Sequence, residues 1–414
     1  MASEIRNPQL WQDGRLKIDW VRHHMPLLNS LEEEFKATLP FKGLKVALSV
    51  HLEAKTAYLC EVLAAGGAEM YVTGSNPLST QDDVAAALVH AGLNVYAWYD
   101  ATAQEYEEHI RRVLEVGPNI IIDDGGDLVN LMHTEYKDLI PGVIGGCEET
   151  TTGILRLVQL NNAKALRFPM MLVNNADCKH LFDNRYGTGQ SVWDGINRTT
   201  NLIVAGKKVV VAGYGWCGRG VATRLAGMGA NVIVTEIDPV KAIEAIMDGY
   251  RVMTMDEAAP LGDIFVTLTG CSDVITEKHM KVMKDGVLLA NSGHFDVEIN
   301  KDHLAELATE IWERKPNIRG YRMADGRVLN LLADGRLVNL AAGNGHPAEI
   351  MDMSFGIQAK SLAYLAKNGK TMDKKVYAVP TEIDREVALI KLNSAGVAID
   401  VLTPEQEEYL ARVE

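Results

Sequence analysis

Polar and ionisable side chains follow directly after several apolar runs that have the composition of β-strands. His51, Asp124 and His294 each come just after such a run. Further candidates in loop-like stretches are Glu53, Lys55, Glu149, Thr150, Thr151, Thr152, Lys179, Asp183 and Asn184. Carboxylates, imidazoles and amines are the usual groups of general acid–base catalysis. Ligands of open α/β sheets bind beyond the carboxyl ends of the strands, so together these positions predict an active site. Taken singly, each side chain could instead cap a helix, form a turn or lie in the core.

The elements that must position these residues alternate between β-rich runs and helical patterns. In the first 190 residues, the run 44–50 predicts a strand and Ala54 to Ala65 a helix, and the alternation continues to Asp123. A second alternating block begins near Ala205, and its strands are continuous apolar runs. Such runs are typical of a parallel sheet that is covered on both faces. The sequence therefore predicts an α/β fold with two doubly wound parallel-sheet domains and a short C-terminal segment.

Composition limits the possible functions. The 414 residues include 55 acidic and 41 basic side chains, and the net charge of −14 argues against nucleic acid as a partner. Five scattered cysteines, with no apolar leader and no long apolar run, predict a cytoplasmic protein that does not span a membrane. No metal is expected, because the histidines and cysteines are not spaced as ligands.

A glycine loop lies between a predicted strand and a predicted helix. Gly213, Gly215 and Gly218 form the pattern G-x-G-x-x-G, and Glu236 ends the next strand. Glycines let the backbone approach a pyrophosphate at a helix N-terminus, and a carboxylate about 20 residues later binds a ribose diol. Glu236 would repel a 2′-phosphate. The loop therefore predicts that the second domain is a Rossmann domain that binds NAD⁺ rather than NADP⁺.

Several longer motifs resemble those of the S-adenosylhomocysteine hydrolase family over nearly the whole chain. They are STQDD from Ser79, DDGGDL from Asp123, EETTTG from Glu148, FDNRYGTGQS from Phe182, VAGYGWCGRG from Val211, TEIDP from Thr235, GHFDVEI from Gly293 and GRLVNLAAGNGHP from Gly335. The resemblance implies NAD⁺ as a bound oxidant that is not consumed. Oxidation of the ribose 3′-hydroxyl acidifies C4′–H, homocysteine is eliminated, water adds, and the stored hydride then reduces the ketone.

The resemblance also implies a catalytic set. Lys179 and Asp183 would lie at the 3′-hydroxyl, and Lys179 would need a lowered pKa to act as a base. Asp124 would act near C4′ and C5′, while His51 and His294 would serve the leaving group and the water.

The remaining residues would bind the ligands. Asn184 would complete the catalytic set near the nicotinamide, Glu149 would hold the ribose hydroxyls, and His346 would bind substrate near a hinge. The residues implied to bind NAD⁺ are Thr150, Thr151, Thr152, Gly213, Gly215, Gly218, Glu236 and Asn339.

The resemblance implies a domain order and an assembly as well. Residues 1–187 would form the first part of the substrate domain and 188–347 the NAD-binding domain. Residues 348–391 would return to the substrate domain as helices, and 392–414 would form a tail. The partners would be small nucleoside and homocysteine substrates, and the assembly a homotetramer. Two rival functions are a dehydrogenase that releases NADH and a non-catalytic NAD-binding protein.

Two departures from the family pattern concern the site. Thr188 replaces a cysteine that many members have near the nicotinamide, and a hydroxyl can still hydrogen-bond there. Where many members have H-x-T-x-E or H-x-T-x-Q, this chain has His51, Glu53 and Lys55. Lysine only donates hydrogen bonds and an ionised glutamate only accepts them, which matches the O6 acceptor and N1–H donor of hypoxanthine. The sequence thus favours S-inosylhomocysteine over S-adenosylhomocysteine as substrate. The alternative is a surface Glu–Lys pair, with adenine held by backbone groups.

A third departure concerns the end of the chain. Many members continue into a basic, tyrosine-containing tail that reaches the NAD of a neighbouring subunit, whereas this sequence ends at LTPEQEEYLARVE. We expect NAD to be held less tightly or with less dependence on the neighbouring subunit.

Overall fold

A parallel sheet is built from the first part of the chain in the computed structural model, which describes residues 3–412. Its strands up to residue 172 are β1 (Glu4–Ile5), β2 (Lys45–Ser49), β3 (Glu69–Thr73), β4 (Asn94–Ala97), β5 (Ile120–Asp123), β6 (Gly145–Glu148) and β7 (Met170–Leu172). Their central residues are almost all buried. Because both faces are covered by helices, the strands read as continuous apolar runs.

A second sheet follows. Its strands are β8 (Lys208–Ala212), β9 (Asn231–Thr235), β10 (Arg251–Val252), β11 (Ile264–Thr267), β12 (Leu288–Asn291), β13 (Ala308–Lys315), β14 (Ile318–Met323) and β15 (Val328–Leu332). Their order is β10-β9-β8-β11-β12-β15-β14-β13. The strand β16 (Val376–Ala378) then returns to the first sheet, whose order is β1-β4-β3-β2-β5-β6-β7-β16.

Helices connect the strands and cover both sheets. They are α1 (Trp11–His23), α2 (Pro26–Thr38), α3 (Ala54–Ala65), α4 (Asp82–His90), α5 (Ala103–Glu115), α6 (Asp127–Thr134), α7 (Thr151–Asn162), α8 (Asp177–Lys179), α9 (Thr188–Thr200), α10 (Trp216–Gly227), α11 (Pro239–Met247), α12 (Met255–Ala258), α13 (Glu277–Met280), α14 (Lys301–Leu307), α15 (Val338–Ala341), α16 (Ala348–Asn368), α17 (Thr381–Ser394) and α18 (Pro404–Ala411). A π-helical turn, His180–Gly187, lies between α8 and α9. The predicted α/β class is confirmed. Within the described residues, no helix is long and apolar enough to cross a membrane.

The long helix α16 carries the chain back to the first sheet. It packs against α2, α3, β6 and the π-helical turn, and residues 351–362 are buried on every side. Its buried Asp352 accepts hydrogen bonds from the backbone N–H groups of Leu27 and Leu28 at 3.1 and 2.9 Å. These contacts fix α16 against the start of α2. Polar side chains on α16 can therefore be held at a constant position under the carboxyl edge of the first sheet.

Two strand predictions need correction. The residues from Glu148 to Gly153 are expected in a loop-like stretch, yet Glu148 ends the strand β6 and Thr151 to Gly153 begin α7. Gly145 and Gly146 lie inside β6. A Cβ at Gly146 would lie 2.8 Å from the carbonyl oxygen of Ile121, so only glycine permits this close strand contact. Glycine was a packing signal here and not a turn signal.

The second sheet is not wholly parallel. Strands β13, β14 and β15 pair antiparallel and extend its far edge. The sequence of β13 is charged and mostly exposed, so it lacked the apolar run by which the other strands were recognised.

Candidate functional site

The carboxyl ends of adjacent strands bring the predicted residues of the first sheet together. Ser49 of β2 is in register with Asp123 of β5, which is in register with Glu148 of β6. The chain leaves these strands toward His51, Asp124 and Glu149. Parallel strands end at the same edge, so side chains far apart in sequence become neighbours.

The ammonium group of Lys179 lies at the centre of a buried polar cluster. Its Nζ donates hydrogen bonds to Asn184 Oδ1 at 2.9 Å and to Asn174 Oδ1 at 3.2 Å. Asp183 Oδ1 and Glu149 Oε1 lie 3.4 and 3.5 Å from the same atom. Lys179 is 5% exposed. A buried cation is tolerated because it has both carboxylate and amide partners.

The expected lowered pKa of Lys179 is wrong for this arrangement. Burial lowers the pKa of the ammonium, but Asp183 and Glu149 outweigh that effect and raise the pKa above its ordinary value. Burial likewise favours a neutral Asp183, yet Lys179 and His346 lower its pKa. The sequence shows the lysine but not the two carboxylates that fold around it. Lys179 is thus a charged hydrogen-bond donor in this geometry.

Glu149 is the carboxyl of this cluster that titrates near neutrality. Burial raises its pKa to about 8, although Lys179 acts in the opposite direction. Gln358 Nε2 on α16 donates a hydrogen bond to Glu149 Oε2 at 2.5 Å.

His346 reaches the cluster from the loop before α16. Its Nδ1 lies 2.9 Å from Asp183 Oδ1, and its Nε2 lies 3.3 Å from Thr188 Oγ1. Ser354 on α16 donates a hydrogen bond to Asp183 Oδ2 at 2.7 Å. Thr188 also donates to Cys217 Sγ at 3.6 Å. The hydroxyl at 188 therefore links the Lys179 cluster to the first turn of α10.

A second group of proton-transfer candidates joins the two sheets. His51 Nε2 lies 3.4 Å from Asp124 Oδ2, and the His51 ring centroid is 6.2 Å from that of His294, which follows β12. Ser79 Oγ lies 2.6 Å from His51 Nδ1, and Ser75 donates to Asp124 at 3.0 Å. Burial lowers the pKa of His51 to about 4, so its imidazole is neutral at physiological pH.

The same three side chains have a geometry that the sequence did not indicate. One ligand atom from each of His51, Asp124 and His294 lies within 4.8 Å of the others, a spacing that could hold a metal ion. The three residues are far apart in the sequence, and no single motif contains them all. The expectation of no metal rested only on the spacing of ligands within short motifs.

Glu53 and Lys55 lie on the first turn of α3, but they are not at the surface. They are 5% and 6% exposed. Lys55 Nζ lies 2.6 Å from Glu53 Oε2 and donates to the carbonyl oxygen of Asn344 at 3.0 Å. Glu53 also accepts the backbone N–H groups of Lys55 and Thr56 as the helix N-cap. The alternative of an exposed surface pair is wrong.

The glycine loop has the shape that a dinucleotide needs. Gly213 has a φ of +101°, and a Cβ at Gly218 would overlap the carbonyl oxygen of Gly213. Glu236 accepts N–H groups from Tyr214 at 2.6 Å and Ile237 at 2.7 Å, so its carboxylate is fixed beside the loop. A Cβ at Gly215 would meet nothing within 4 Å, which leaves open space at the N-terminus of α10.

Asn339 provides a further test of whether the chain fits a nicotinamide group. Its Nδ2 donates to Ser191 Oγ at 3.2 Å. Its buried Oδ1 has no hydrogen-bond partner within the part of the chain that the structure describes. A buried acceptor of this kind requires a donor, and a carboxamide N–H₂ would supply one.

The three threonines follow strand β6 at the carboxyl edge of the first sheet. The backbone N–H of Thr150 donates to Glu148 Oε1 at 3.0 Å, and Thr151 Oγ1 accepts from Asn174 Nδ2 at 3.1 Å. Thr150 is the N-cap of α7, and Thr151 and Thr152 are the first residues of that helix. Their hydrogen bonds therefore run to the ends of β6 and β7 and not to the Gly213 loop.

Several residues of the site were not among the predicted site residues. They are Ser75, Ser79, Cys217, Ser354 and Gln358. Glu148 and Asn174 also contact the site, and they were candidates only as polar residues at strand ends. Ser354 and Gln358 are four residues apart on one face of α16, a spacing that could have identified them. Ser75 lies two residues after β3, as His51 lies two residues after β2, so the position after a strand end could have identified it as well.

Comparisons with known proteins agree with this geometry. Residues 2–141 match the S-adenosyl-L-homocysteine hydrolase family, and residues 184–345 match the NAD-binding domain of that family. The chain belongs to this family. It is therefore a hydrolase of the adenosylhomocysteinase type that uses NAD⁺ as its cofactor, which confirms the predicted family, reaction class and cofactor. The two rival functions, a dehydrogenase that releases NADH and a non-catalytic NAD-binding protein, do not agree with membership of a hydrolase family.

Individual relatives carry two different names. An S-inosyl-L-homocysteine hydrolase of Methanocaldococcus jannaschii is 54% identical over 98% of this chain and 98% of its own length. One of Methanopyrus kandleri is 56% identical over 98% of this chain and 96% of its own length. An adenosylhomocysteinase of Pyrococcus abyssi is 55% identical over the same shares. Overall identity does not separate the two names, so the purine must be judged from the site.

Replacement of Gly218 by alanine should weaken NAD⁺ binding. The new Cβ would overlap the carbonyl oxygen of Gly213 and force the loop to move. We expect the Kd for NAD⁺ of the cofactor-depleted protein to rise by about tenfold or more, which corresponds to one misplaced hydrogen-bonded group. Gly227→Ala, at the other end of α10 where a Cβ meets nothing within 4 Å, is the matched control. Equal affinities of the two variants would contradict this role of Gly218.

The raised pKa of Glu149 should make stability depend on pH. Between about pH 4.5 and 8, the folded chain keeps a proton that the unfolded chain releases, so stability falls as the pH rises through this window. Glu149→Gln cannot titrate, and its Tm should fall less than that of the wild type over the same window. Glu33→Gln, on an exposed helix face, should follow the wild type. A wild-type slope in Glu149→Gln would show that Glu149 ionises normally.

Proposed function

We propose that this chain hydrolyses S-inosyl-L-homocysteine to inosine and L-homocysteine in preference to S-adenosyl-L-homocysteine. The observation that carries the proposal is the buried Glu53–Lys55 pair. Both side chains are buried, and Lys55 also donates to the carbonyl oxygen of Asn344. Water therefore cannot take the place of a missing hydrogen-bond partner. A buried polar pair discriminates strongly between ligands of opposite hydrogen-bond polarity.

Each member of the pair has hydrogen-bonding capacity left for a purine. An ammonium has three donors, and Lys55 uses two of them, on Glu53 and on Asn344. Glu53 Oε1 accepts only a long bond of 3.4 Å from the Thr56 N–H. The free donor suits O6 of hypoxanthine and the free acceptor suits its N1–H. Adenine would present N6–H₂ and N1 with the opposite polarity.

The alternative is S-adenosyl-L-homocysteine, the substrate named for some relatives at similar identity. Adenine would leave Lys55 facing an amino group and Glu53 facing a lone pair. Each unpaired buried group costs about 1–3 kcal/mol. The site residues therefore favour the inosyl substrate although the comparisons include both names.

NAD⁺, when bound, supplies an acceptor for the hydride at C3′ and later returns it. We propose that Lys179 and Asp183 hold the 3′ oxygen and that Asn184 orients Lys179 through their 2.9 Å hydrogen bond. Glu149, held by Gln358, would bind the ribose hydroxyls. Because Lys179 is charged in this arrangement, its own proton must leave before it can act as a base.

The second proton group would act at C4′ and C5′. Asp124 lies between the Ser75 hydroxyl and His51, where it can receive the C4′ proton. A neutral His51, with its Nδ1 bonded to Ser79, can exchange a proton with the departing sulfur or the incoming water through Nε2. His294, on the second sheet, would face the same carbon atoms, so this chemistry needs both sheets.

A double exchange at the purine site tests the proposal. The wild type should show a higher kcat/KM for S-inosyl- than for S-adenosyl-homocysteine in a thiol-release assay. Glu53→Thr with Lys55→Gln removes the charged pair and supplies an amide. We expect the ratio of the two kcat/KM values to move toward the adenosyl substrate by about 10- to 100-fold, the effect of one or two unpaired groups.

The matched control exchanges an exposed pair in the same way. Glu33 and Lys36 on α2 form an ion pair at 2.9 Å outside the site. Glu33→Thr with Lys36→Gln should leave the substrate ratio unchanged. An adenosyl preference of about tenfold or more in the wild type would contradict the proposal.

We also propose that the active form is a cytoplasmic homotetramer. An exposed apolar face on and before α11 supports self-association: Ile237 is 99% exposed, Val240 73% and Met247 82%. Sedimentation equilibrium should give four times the mass of the 45.4 kDa chain. A monomeric mass at working concentration would contradict the tetramer.

A further inference from the structure

Glu148 is a buried carboxyl that lies between the two halves of the site and is not among the residues proposed to act in catalysis or to bind the ligands. It ends β6, is 0% exposed and lies in register with Asp123 of β5. Residues in register on parallel strands have side chains on the same face. Two carboxyl groups therefore lie side by side in the interior, where two charges would repel each other without solvent.

The side chain of Glu148 joins two loops. Its Oε1 accepts the N–H of Gly125 at 2.9 Å and the N–H of Thr150 at 3.0 Å. Gly125 directly follows Asp124, and Thr150 begins the threonine segment 150–152. One oxygen atom thus fixes the distance between the loop of Asp124 and the threonine segment.

The other oxygen indicates the protonation state. Glu148 Oε2 is buried and has no hydrogen-bond partner among residues 3–412. Asp123, by contrast, accepts N–H groups with both oxygens, from Asp124 at 3.2 Å and Val129 at 2.9 Å. Each carboxyl accepts two N–H groups, but those of Asp123 are distributed over both oxygens, so of the two carboxyls only Glu148 has an oxygen without a donor among the described residues. Burial and Asp123 also raise the pKa of Glu148 well above its ordinary value.

The space for this carboxyl depends on Gly153 in the first turn of α7. A Cβ at position 153 would overlap the carboxyl carbon and both oxygens of Glu148. This explains why glycine follows the three threonines. It also provides a way to displace the carboxyl without replacing Glu148.

We propose that Glu148, in its uncharged form, is a positioning residue that ties the Asp124 loop to the threonine segment and so couples NAD⁺ binding to the proton chemistry. This inference rests on the proposed function, in which Asp124 receives the C4′ proton, and on the NAD⁺ contacts that the family resemblance implies for Thr150–Thr152. Glu148 itself acts through the backbone of Gly125 and Thr150.

The test compares Glu148→Gln, Glu148→Ala and Gly153→Ala with the wild-type holoenzyme. Thiol release from the nucleosyl-homocysteine substrates gives kcat and KM, and binding of NAD⁺ to the cofactor-depleted protein gives Kd. Glutamine keeps the acceptor and carries no charge, so Glu148→Gln should stay within about threefold of wild type in kcat and Kd. Glu148→Ala should lose about 100-fold in kcat with little change in KM, because Asp124 is misplaced. Its Kd for NAD⁺ should rise by about tenfold. Gly153→Ala should resemble Glu148→Ala.

A control separates positioning from general destabilisation. Glu32 on α2 is also a buried glutamate, and it lies outside the site. Its carboxylate accepts a hydrogen bond from the Tyr58 hydroxyl at 3.0 Å. Glu32→Ala should lower Tm while kcat and the Kd for NAD⁺ stay at their wild-type values. If Glu148→Ala behaved like Glu32→Ala or like the wild type, the positioning role would be overturned.

The remaining outcomes are also decisive. Equal damage in Glu148→Gln and Glu148→Ala would overturn the uncharged form, because a neutral isostere would then not suffice. Wild-type thiol release is measured first. Its absence would count against the proposed function, whereas losses confined to the variants concern Glu148 alone.

Discussion

The charge of the Lys179 ammonium, buried under the carboxyl edge of the first sheet, is the constraint on which the surrounding structure depends. An isolated buried cation is strongly unfavourable, so it must be paired and hydrogen-bonded. Asp183 supplies the opposite charge, Glu149 adds a second carboxyl group, and Asn174 and Asn184 supply the amide acceptors. Those four groups come from three parts of the chain, and each must be held to about the length of a hydrogen bond.

The need to hold these partners explains several features of the fold. The π-helical turn places Asp183 and Asn184 on the same side as Lys179. The helix α16 adds Ser354 on Asp183 and Gln358 on Glu149, which is why it is buried on all sides despite its polar residues. His346, at the entrance to α16, completes the environment of Asp183. Because burial raises the pKa of Glu149 to about 8 while Lys179 and His346 lower that of Asp183, Asp183 is the carboxylate that balances the Lys179 charge at neutral pH.

Much of the site could be predicted from the sequence. The positions after strand ends, the glycine loop with Glu236, and the Glu53–Lys55 departure were all visible as local patterns. That Asn339 Oδ1 and Glu148 Oε2 have no hydrogen-bond partner among the described residues could not be predicted, because the partners of a buried group depend on every neighbour. The pKa of Lys179 was expected in the wrong direction for the same reason. Burial could be anticipated from the apolar surroundings, but the two carboxylates that outweigh it come from the folded arrangement.

The sequence by itself determined the class of fold and the cofactor, since these depend on periodicity and on motifs in which the residues are near one another. It indicated the reaction through the resemblance of its longer motifs to one family. It also showed that the proposed purine site combines a lysine donor with a glutamate acceptor. Only the tertiary structure decided that this pair is buried and has bonding capacity left, that β6 is a strand, and that Glu148 joins two loops. The physical reason is that burial, charge compensation and close packing are set by contacts between distant residues. Alternation along a chain predicts which elements form, whereas strand order decides which side chains meet.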